Sequence, residues 1–256
     1  MADVRLEIIA AGPLVSFQDA GRPGHLRFGV SGSGPMDRLA HAAANLAIGN
    51  AVDATAIEVS LGGIVLACGS GRVTVAVAGG SFAVETGDAP ASWSGASWSA
   101  TTLEAGQRMS IRPGAWGSWA YVGIGGVLDV PQWLGSTATH SMSGFGGGQL
   151  RSGQEVVVRH ARVASERTGP IPIPDFSRPT GRVRVVMGPQ DRHLDDAAID
   201  AFGRSEYALT ADYDRMGVRL AGPPLALRGS LSIPSEPIVR GSVQVCLLYT
   251  SPSPRD

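Results

Sequence analysis

The sequence of 256 residues contains no lysine, and all 21 of its basic residues are arginine. Lysine forms Schiff bases, carries covalently attached biotin, and contacts nucleotide phosphates in a P-loop. This sequence therefore cannot supply any of these three functions from its own side chains. If biotin takes part in its chemistry, the biotin has to be attached to a partner.

Cysteine is also scarce, and Cys68 and Cys246 are the two in the chain. Two cysteines are too few for a disulfide framework or a zinc knuckle, so a reducing cytoplasm is the natural location. The five histidines show no spacing typical of metal ligands, and we predict no metal site. His41 falls in a predicted helix and is expected to be a surface or boundary residue.

Neither charge nor hydropathy points to a nucleic acid or a membrane. The formal net charge is -1, so the chain has no basic excess that would attract phosphates or anionic lipids. No apolar run reaches the length of about 20 residues that a membrane-spanning helix needs. The N-terminal residues lack the pattern of a secretory signal. We expect a cytoplasmic protein without a nucleic acid or membrane partner.

Short β-rich segments separated by glycine, serine or aspartate dominate the sequence, and they predict a mostly β fold with short helices. The clearest helix is predicted from Pro35 to about Ile48, with Asp37 in its first turn. A second short helix is predicted within 194–204. The predicted strands cover 6–10, 57–61, 64–68, 72–79, 81–85, 107–113, 119–126, 155–159, 182–188 and 216–222.

A proline-rich stretch without periodicity divides the chain. We predict a first β unit over 1–163, a linker over 164–182 and an incomplete second unit over 183–245. The remaining residues, 246–256, read "CLLYTSPSPRD" and resemble translated adapter DNA, which suggests a truncated reading frame and a non-native tail.

The stretch "QDAGRPGHLRFGVSGSGPMDR", residues 18–38, combines glycines with charged side chains. Gly24 and Gly29 have P-loop spacing, but Val30 stands where the lysine is required, so the P-loop interpretation is rejected. Asp19 and Arg22 fall in one tight turn, where they can pair or face a polar ligand. The alternative is an Asx-type turn in which Asp19 bonds nearby backbone amides.

The same stretch, extended to 18–50 and followed by "AIEVSLGG", resembles the signature of the allophanate hydrolase subunit 2, or biotin-dependent carboxyltransferase-like, family. Its members include the C subunits of ATP-dependent 5-oxoprolinases, which are antagonists of a kinase-inhibitor protein, and the carboxyltransferase region of urea carboxylase. Further motifs agree in order: "AYVGIGGVLDVPQWLGS", "GFGGGQLRSGQEV", "VMGPQD", "DYDRMGVRLAGP" and "VRGSVQV".

The resemblance implies two cyclophilin-like β-barrel units, the second one truncated here. It implies a subunit of a heteromeric 5-oxoprolinase that opens 5-oxoproline to glutamate, with ATP used by the complex. The expected partners are a kinase-inhibitor-like subunit of the same enzyme and a lactam-utilisation protein. Two alternatives stay open: a carboxyltransferase subunit of a urea carboxylase system, with biotin on a partner, and a non-catalytic regulatory partner of a kinase-inhibitor-like protein.

The resemblance also selects site residues by matching motif. They divide into residues expected to take part in catalysis and residues expected to bind the substrate. The expected catalytic residues are Asp19, Arg22 and Asp37, and the expected substrate-binding residues are Gln18, Ser33, Met36, Asp214 and Arg215. The arginines would hold an anionic carboxylate or carbonate-like group, and the aspartates would orient them or accept protons.

Overall fold

The structure is a computed structural model that describes residues 2–87, 93–226, 228 and 238–245. The predicted non-native tail at 246–256 lies outside the described residues. The chain divides into two compact units, Met1–Gly181 and Arg182–Asp256. Within the described part of the chain, no helix combines the length and the apolar character needed to cross a bilayer.

Short strands account for most of the regular secondary structure of the first unit, and the predicted mostly β class is confirmed. In chain order the strands are β1 Val4–Ala11, β2 Ser16–Gln18, β3 Ala56–Val59, β4 Ile64–Ser70, β5 Arg72–Ala78, β6 Ala83–Thr86, β7 Trp93–Ala96, β8 Ser99–Glu104, β9 Arg108–Arg112, β10 Ala120–Ile124, β11 Val127–Leu128, β12 Glu155–Arg159 and β13 Gly169–Pro170.

These strands form two open sheets that enclose one apolar core. The first sheet has the order β11-β12-β1-β4-β9-β6-β7, and the second has the order β13-β8-β5-β10-β3-β2. On β1 the buried residues Val4, Leu6 and Ile8 alternate with more exposed ones, as expected for a sheet with one face toward the core. Residues from both sheets, among them Leu66 and Val75, belong to the same buried cluster.

The second sheet is covered on its other face by helix α1, Arg38–Ala47, which packs on β5 and β10. Small residues allow a close approach: a Cβ on Gly123 would lie 2.8 Å from the carbonyl oxygen of Ala44. The helix begins three residues later than predicted. Asp37 precedes it as the N-cap, because its side chain accepts the free amides of the first turn.

Of the proline-rich segment predicted as a linker, residues 164–181 lie within the first compact unit. The segment contains short 3-10 helices at Ser165–Arg167 and Asp175–Ser177, and β13 lies between them. β13 pairs with β8, and the amide of Ile171 donates to the carbonyl oxygen of Trp98 at 2.6 Å. The segment thereby extends the edge of the second sheet.

The second unit contains the 3-10 helix Asp191–His193, helix α2 (Asp196–Arg204), and the hairpin strands β14 (Ala208–Tyr213) and β15 (Val218–Ala221). The prediction of a strand over 182–188 is wrong. These residues have no sheet partner in the described part of the unit, and Val183 and Val186 are exposed. An alternating β pattern becomes a strand only where a ladder partner exists.

Candidate functional site

The first part of the site is the turn after β2, where both carboxylate oxygens of Asp19 accept hydrogen bonds. Oδ1 accepts from the Gly21 amide at 2.8 Å and from the Ser136 hydroxyl at 2.6 Å. Oδ2 accepts from the Thr137 amide at 2.7 Å. The first bond is the local Asx-type contact considered from the sequence. The other two connect the turn to a loop more than one hundred residues further along the chain.

These contacts determine the charge state of Asp19. Partial burial works against ionisation, but the hydrogen bonds from Ser136, Gly21 and Thr137 outweigh it and lower the pKa of Asp19 below its usual value. The carboxylate is therefore negatively charged at neutral pH and serves as a fixed acceptor for the loop at 136–137.

Arg22 is almost completely buried, with 2% of its surface exposed. Its Nε donates to the carbonyl oxygen of Trp133 at 3.2 Å, one terminal nitrogen donates to the Ser33 hydroxyl at 2.9 Å, and the other donates to the carbonyl oxygen of Ala138. The guanidinium carbon lies 4.9 Å from the centre of the Trp133 ring. Burial lowers the pKa of Arg22, and the negative charge of Asp19 opposes that shift. The guanidinium thus ties the 133–138 loop to the glycine-rich segment.

Close backbone contacts bring Arg22 and Ser33 together. The Arg22 amide donates to the Gly32 carbonyl at 2.7 Å. Gly21 has a φ of +91°, and a Cβ there would lie 2.5 Å from the Gly32 carbonyl oxygen. Ser33 itself has a φ of +53°, which is uncommon for a residue other than glycine. The two arms of the segment therefore pack backbone against backbone, and a larger residue at position 21 would separate them.

The second part of the site is the start of α1, where hydrogen bonds from the backbone amides hold Met36 and Asp37 in place. Asp37 Oδ1 accepts from the amides of Leu39 and Ala40, each at 3.0 Å. The amides of Asp37 and Met36 donate to a buried pair: the Tyr121 hydroxyl oxygen at 2.8 Å and Glu58 Oε2 at 2.9 Å, respectively. The Tyr121 hydroxyl in turn donates to Glu58 Oε2 at 2.8 Å.

Gln18 and His41 are buried polar residues that lie next to each other beside the start of α1. Gln18 is fully buried; its Nε2 donates to Ser16 at 2.9 Å, and its Oε1 has no hydrogen-bond partner among the described residues. His41 Nε2 lies 3.3 Å from the Gln18 carbonyl oxygen. The expectation that His41 is a surface or boundary residue is wrong, since only 2% of it is exposed. Burial lowers the pKa of His41, although the Gln18 and Ala54 carbonyls oppose the shift.

The two remaining predicted residues belong to the second unit. Asp214 Oδ1 accepts from the amides of Met216 and Gly217, at 2.6 and 3.0 Å, in the turn between β14 and β15. Burial and the nearby positive charge of Arg240 lower the pKa of Arg215 to about 10. Arg215 is therefore a partly buried cation beside a second cation.

Several residues of the site were not selected from the sequence. The loop residues Ser136 and Thr137 give no local signal, because they meet Asp19 only in the fold. Glu58 does give one: it is the single charged residue of β3, and every residue of this strand is buried. A charge in a fully buried strand needs a polar partner, and Tyr121 supplies it.

The first unit thus combines two open sheets around one core with a buried polar turn that leads into a helix cap. This chain is a member of the carboxyltransferase domain family, subdomain A and B, whose family model matches residues 28–247. The chain is 31% identical over 250 residues to the C subunit of the Escherichia coli (strain K12) 5-oxoprolinase, covering 94% of this chain and 76% of that protein. The C subunit of the Haemophilus influenzae 5-oxoprolinase is also 31% identical, over 245 residues, with the same coverage of each chain.

The chain is also similar to urea carboxylases. A putative urea carboxylase of Emericella nidulans is 31% identical over 228 residues, which are 85% of this chain and 18% of that protein. The crystal structure of the Kluyveromyces lactis urea carboxylase superposes with a TM-score of 0.71 at 28% identity, covering 87% of this chain and 21% of that chain. This chain therefore spans about a fifth of that urea carboxylase.

Proposed function

We propose that this chain is a subunit of an ATP-dependent 5-oxoprolinase, which opens the cyclic amide of 5-oxoproline to give glutamate. The observation that carries the proposal is the extent of the similarity to the C subunit of the Escherichia coli 5-oxoprolinase, with 94% of this chain matched to 76% of that protein. The putative urea carboxylase of Emericella nidulans is matched at the same identity, but over only 18% of its length.

The site residues take different roles in this proposal. Asp37 contacts the substrate as a hydrogen-bond or proton acceptor, because it is partly exposed and only one of its oxygens is used by the helix start. Asp19 and Arg22 are positioning residues, since their polar atoms are bonded to the 133–138 loop and to Ser33. Roles for Gln18, Ser33, Met36, Asp214 and Arg215 in substrate binding stay predictions.

The proposed reaction also needs other components. We propose that ATP is used by the complex, and that the partners are a kinase-inhibitor-like subunit of the same enzyme and a lactam-utilisation protein. Hydrolysis of a lactam adds water across an unstrained amide bond, so an activated carbonyl, a positioned water and a stabilised oxyanion are required. The cytoplasm, where ATP is available, is the proposed location.

The TM-score of 0.71 with the Kluyveromyces lactis urea carboxylase supports a second candidate, carboxyl transfer from carboxybiotin to urea. Because this sequence has no lysine, a partner would have to carry the biotin. The two candidates differ in substrate and in cofactor, and each therefore has its own assay.

The test is reconstitution with the proposed partner proteins. We expect ATP-dependent release of glutamate from 5-oxoproline by the complete assembly, and none when this chain is omitted. In the competing assay, the same assembly is given urea and a carrier whose biotin has been carboxylated beforehand by a separate biotin carboxylase with ATP and bicarbonate. A folded, complete assembly that releases no glutamate would disprove the 5-oxoprolinase proposal, and biotin-dependent consumption of urea would support the second candidate.

A further inference from the structure

The first unit contains a cavity of about 210 Å³ beside the start of α1. Three tryptophans line it, Trp98, Trp116 and Trp119, together with the charged residues Asp37 and Arg178. Pockets that bind drug-sized molecules measure about 300–1,000 Å³. A cavity of this size therefore suits a smaller molecule, such as a metabolite with a single ring.

Hydrogen bonds hold Trp98 through its indole, which donates to the backbone, and Trp116 through its own backbone groups. Trp98 is 3% exposed, and its Nε1 donates to the Gly80 carbonyl oxygen at 3.2 Å. The Trp116 amide donates to the Ser81 hydroxyl at 2.9 Å, and the Ser81 amide donates to the Trp116 carbonyl at 2.8 Å. A Cβ on Gly117 would lie 2.5 Å from the Cα of Gly80, so two backbone segments touch directly at the wall. These contacts give the cavity a preformed apolar wall.

The two charges of the cavity do not neutralise each other. Asp37 and Arg178 make no ion pair with any residue in the described part of the chain, although both line this one cavity. Asp37 uses Oδ1 for the first turn of α1. Arg178 follows the 3-10 helix Asp175–Ser177, where its amide donates to the Asp175 carbonyl at 3.2 Å and its side chain is exposed. Each of the two charges can therefore pair with a complementary group of a ligand.

From this arrangement we infer that the cavity binds a small, nearly planar cyclic amide that carries a carboxylate. Arg178 pairs with the ligand's carboxylate, Asp37 accepts a hydrogen bond from its amide N–H, and the indoles pack against its ring. This inference deepens the proposed function, on which the choice of 5-oxoproline as the ligand rests. It adds Arg178 and the three tryptophans to the residues proposed to contact the substrate.

Tryptophan emission offers a direct measurement of binding by this chain without any partner. Three of its five tryptophans line the cavity, so a bound ligand changes their fluorescence. We expect a saturable change on titration with 5-oxoproline. We expect 2-pyrrolidone, the same ring without the carboxylate, to bind about tenfold more weakly because the Arg178 pair is missing.

A variant cycle assigns the carboxylate to Arg178. Arg178→Ala should weaken binding of 5-oxoproline about tenfold and leave binding of 2-pyrrolidone unchanged, because only the first ligand loses a partner. Arg151→Ala is the matched control, since Arg151 is exposed and does not line the cavity. Trp116→Ala should weaken both ligands. Thermal unfolding curves that match the wild type confirm that each variant is folded.

The inference is overturned if 5-oxoproline gives no saturable change with the wild-type chain, or if Arg178→Ala weakens the two ligands equally. Preferential binding of urea, which has no carboxylate, would also overturn it. Failure here is distinct from failure of the proposed function. If the assembly releases glutamate but 5-oxoproline does not bind in this cavity, only the cavity assignment is rejected. Binding in the cavity without glutamate release rejects the proposed reaction alone.

Discussion

Asp19 and Asp37 stand at the two ends of one glycine-rich segment, and their surroundings differ. Asp19 uses both carboxylate oxygens to hold the turn at Gly21 and the loop at Ser136 and Thr137. Asp37 uses one oxygen for the start of α1 and lines a cavity with Arg178. The two aspartates of this one sequence motif therefore have different roles. One organises loops, and the other is available to a ligand.

Of the substitutions considered, replacement of Arg22, which contacts the same loop as Asp19, should lower the free energy of unfolding most. Arg22→Ala leaves the Ala138 carbonyl without its donor and removes one of two donors to the Trp133 carbonyl, which also accepts from the Ser136 amide. We therefore expect the free energy of unfolding to fall by about 3 kcal/mol. Arg22→Lys should not restore the stability, because an ammonium group cannot donate to Trp133, Ser33 and Ala138 at once as the planar guanidinium does. Urea unfolding followed by tryptophan emission measures the first unit, which contains all five tryptophans. A change no larger than that of Arg151→Ala would contradict this role.

Replacement of Asp19 should have the next largest effect on the free energy of unfolding, and this effect depends on pH. Asp19→Asn should lower the free energy of unfolding by about 2 kcal/mol at pH 7, because one acceptor oxygen becomes a donor facing other donors. The folded-state pKa is lowered, so the stabilisation is present above the unfolded-state pKa of about 3.9 and is lost as the pH falls through the folded value. Unfolding curves of wild type and variant should converge in acid. Curves that stay parallel from pH 7 to pH 3 would refute the assignment.

A smaller effect is expected at His41. Its pKa is lowered in the folded state, so the unfolded chain binds more protons as the pH falls below about 6.5, and stability decreases. Between pH 7.5 and pH 5.5 the free energy of unfolding should fall by about 1 kcal/mol through this residue. His41→Gln should flatten the pH dependence over that range. An unchanged slope in the variant would show that His41 does not cause it.

In contrast to the changes at Asp19, Asp37→Asn should leave the free energy of unfolding almost unchanged. Asparagine caps helices about as well as aspartate does, so we expect a change below about 0.5 kcal/mol, against about 1 kcal/mol for Asp37→Ala. Thermal unfolding of both variants provides the measurement. A large loss with Asp37→Asn would mean that its charge supports the fold, and the contrast with Asp19 would disappear.

Local patterns account for much of the fold. Each of the eight β-rich segments predicted before residue 160 overlaps an observed strand, because alternation and β-branched residues act locally. β8, Ser99–Glu104, was not predicted because serine and threonine dominate it, and its pairing with β5 stabilises it. The strand predicted over 182–188 shows the reverse: its pattern is favourable, but it has no partner among the described residues.

The site was less predictable, because its contacts connect residues that are distant in sequence. The Ser136 hydroxyl reaches Asp19 across 117 positions, and nothing near either residue indicates this. His41 was misassigned because polar residues of a helix are expected to face solvent. Here His41 and Asn45 share the covered face with Ala40 and Ala44, where Gln18 and Ala54 offer them backbone carbonyls.

The measurement that tests the central contrast most directly is ATP-dependent glutamate release by assemblies that contain the wild-type chain or Asp37→Asn. We predict that Asp37→Asn lowers the rate by at least about 100-fold while its unfolding curve matches that of the wild type, because an acceptor at the substrate is lost and the helix cap is kept. A folded Asp37→Asn assembly that releases glutamate at the wild-type rate would contradict the assignment of Asp37 to the substrate.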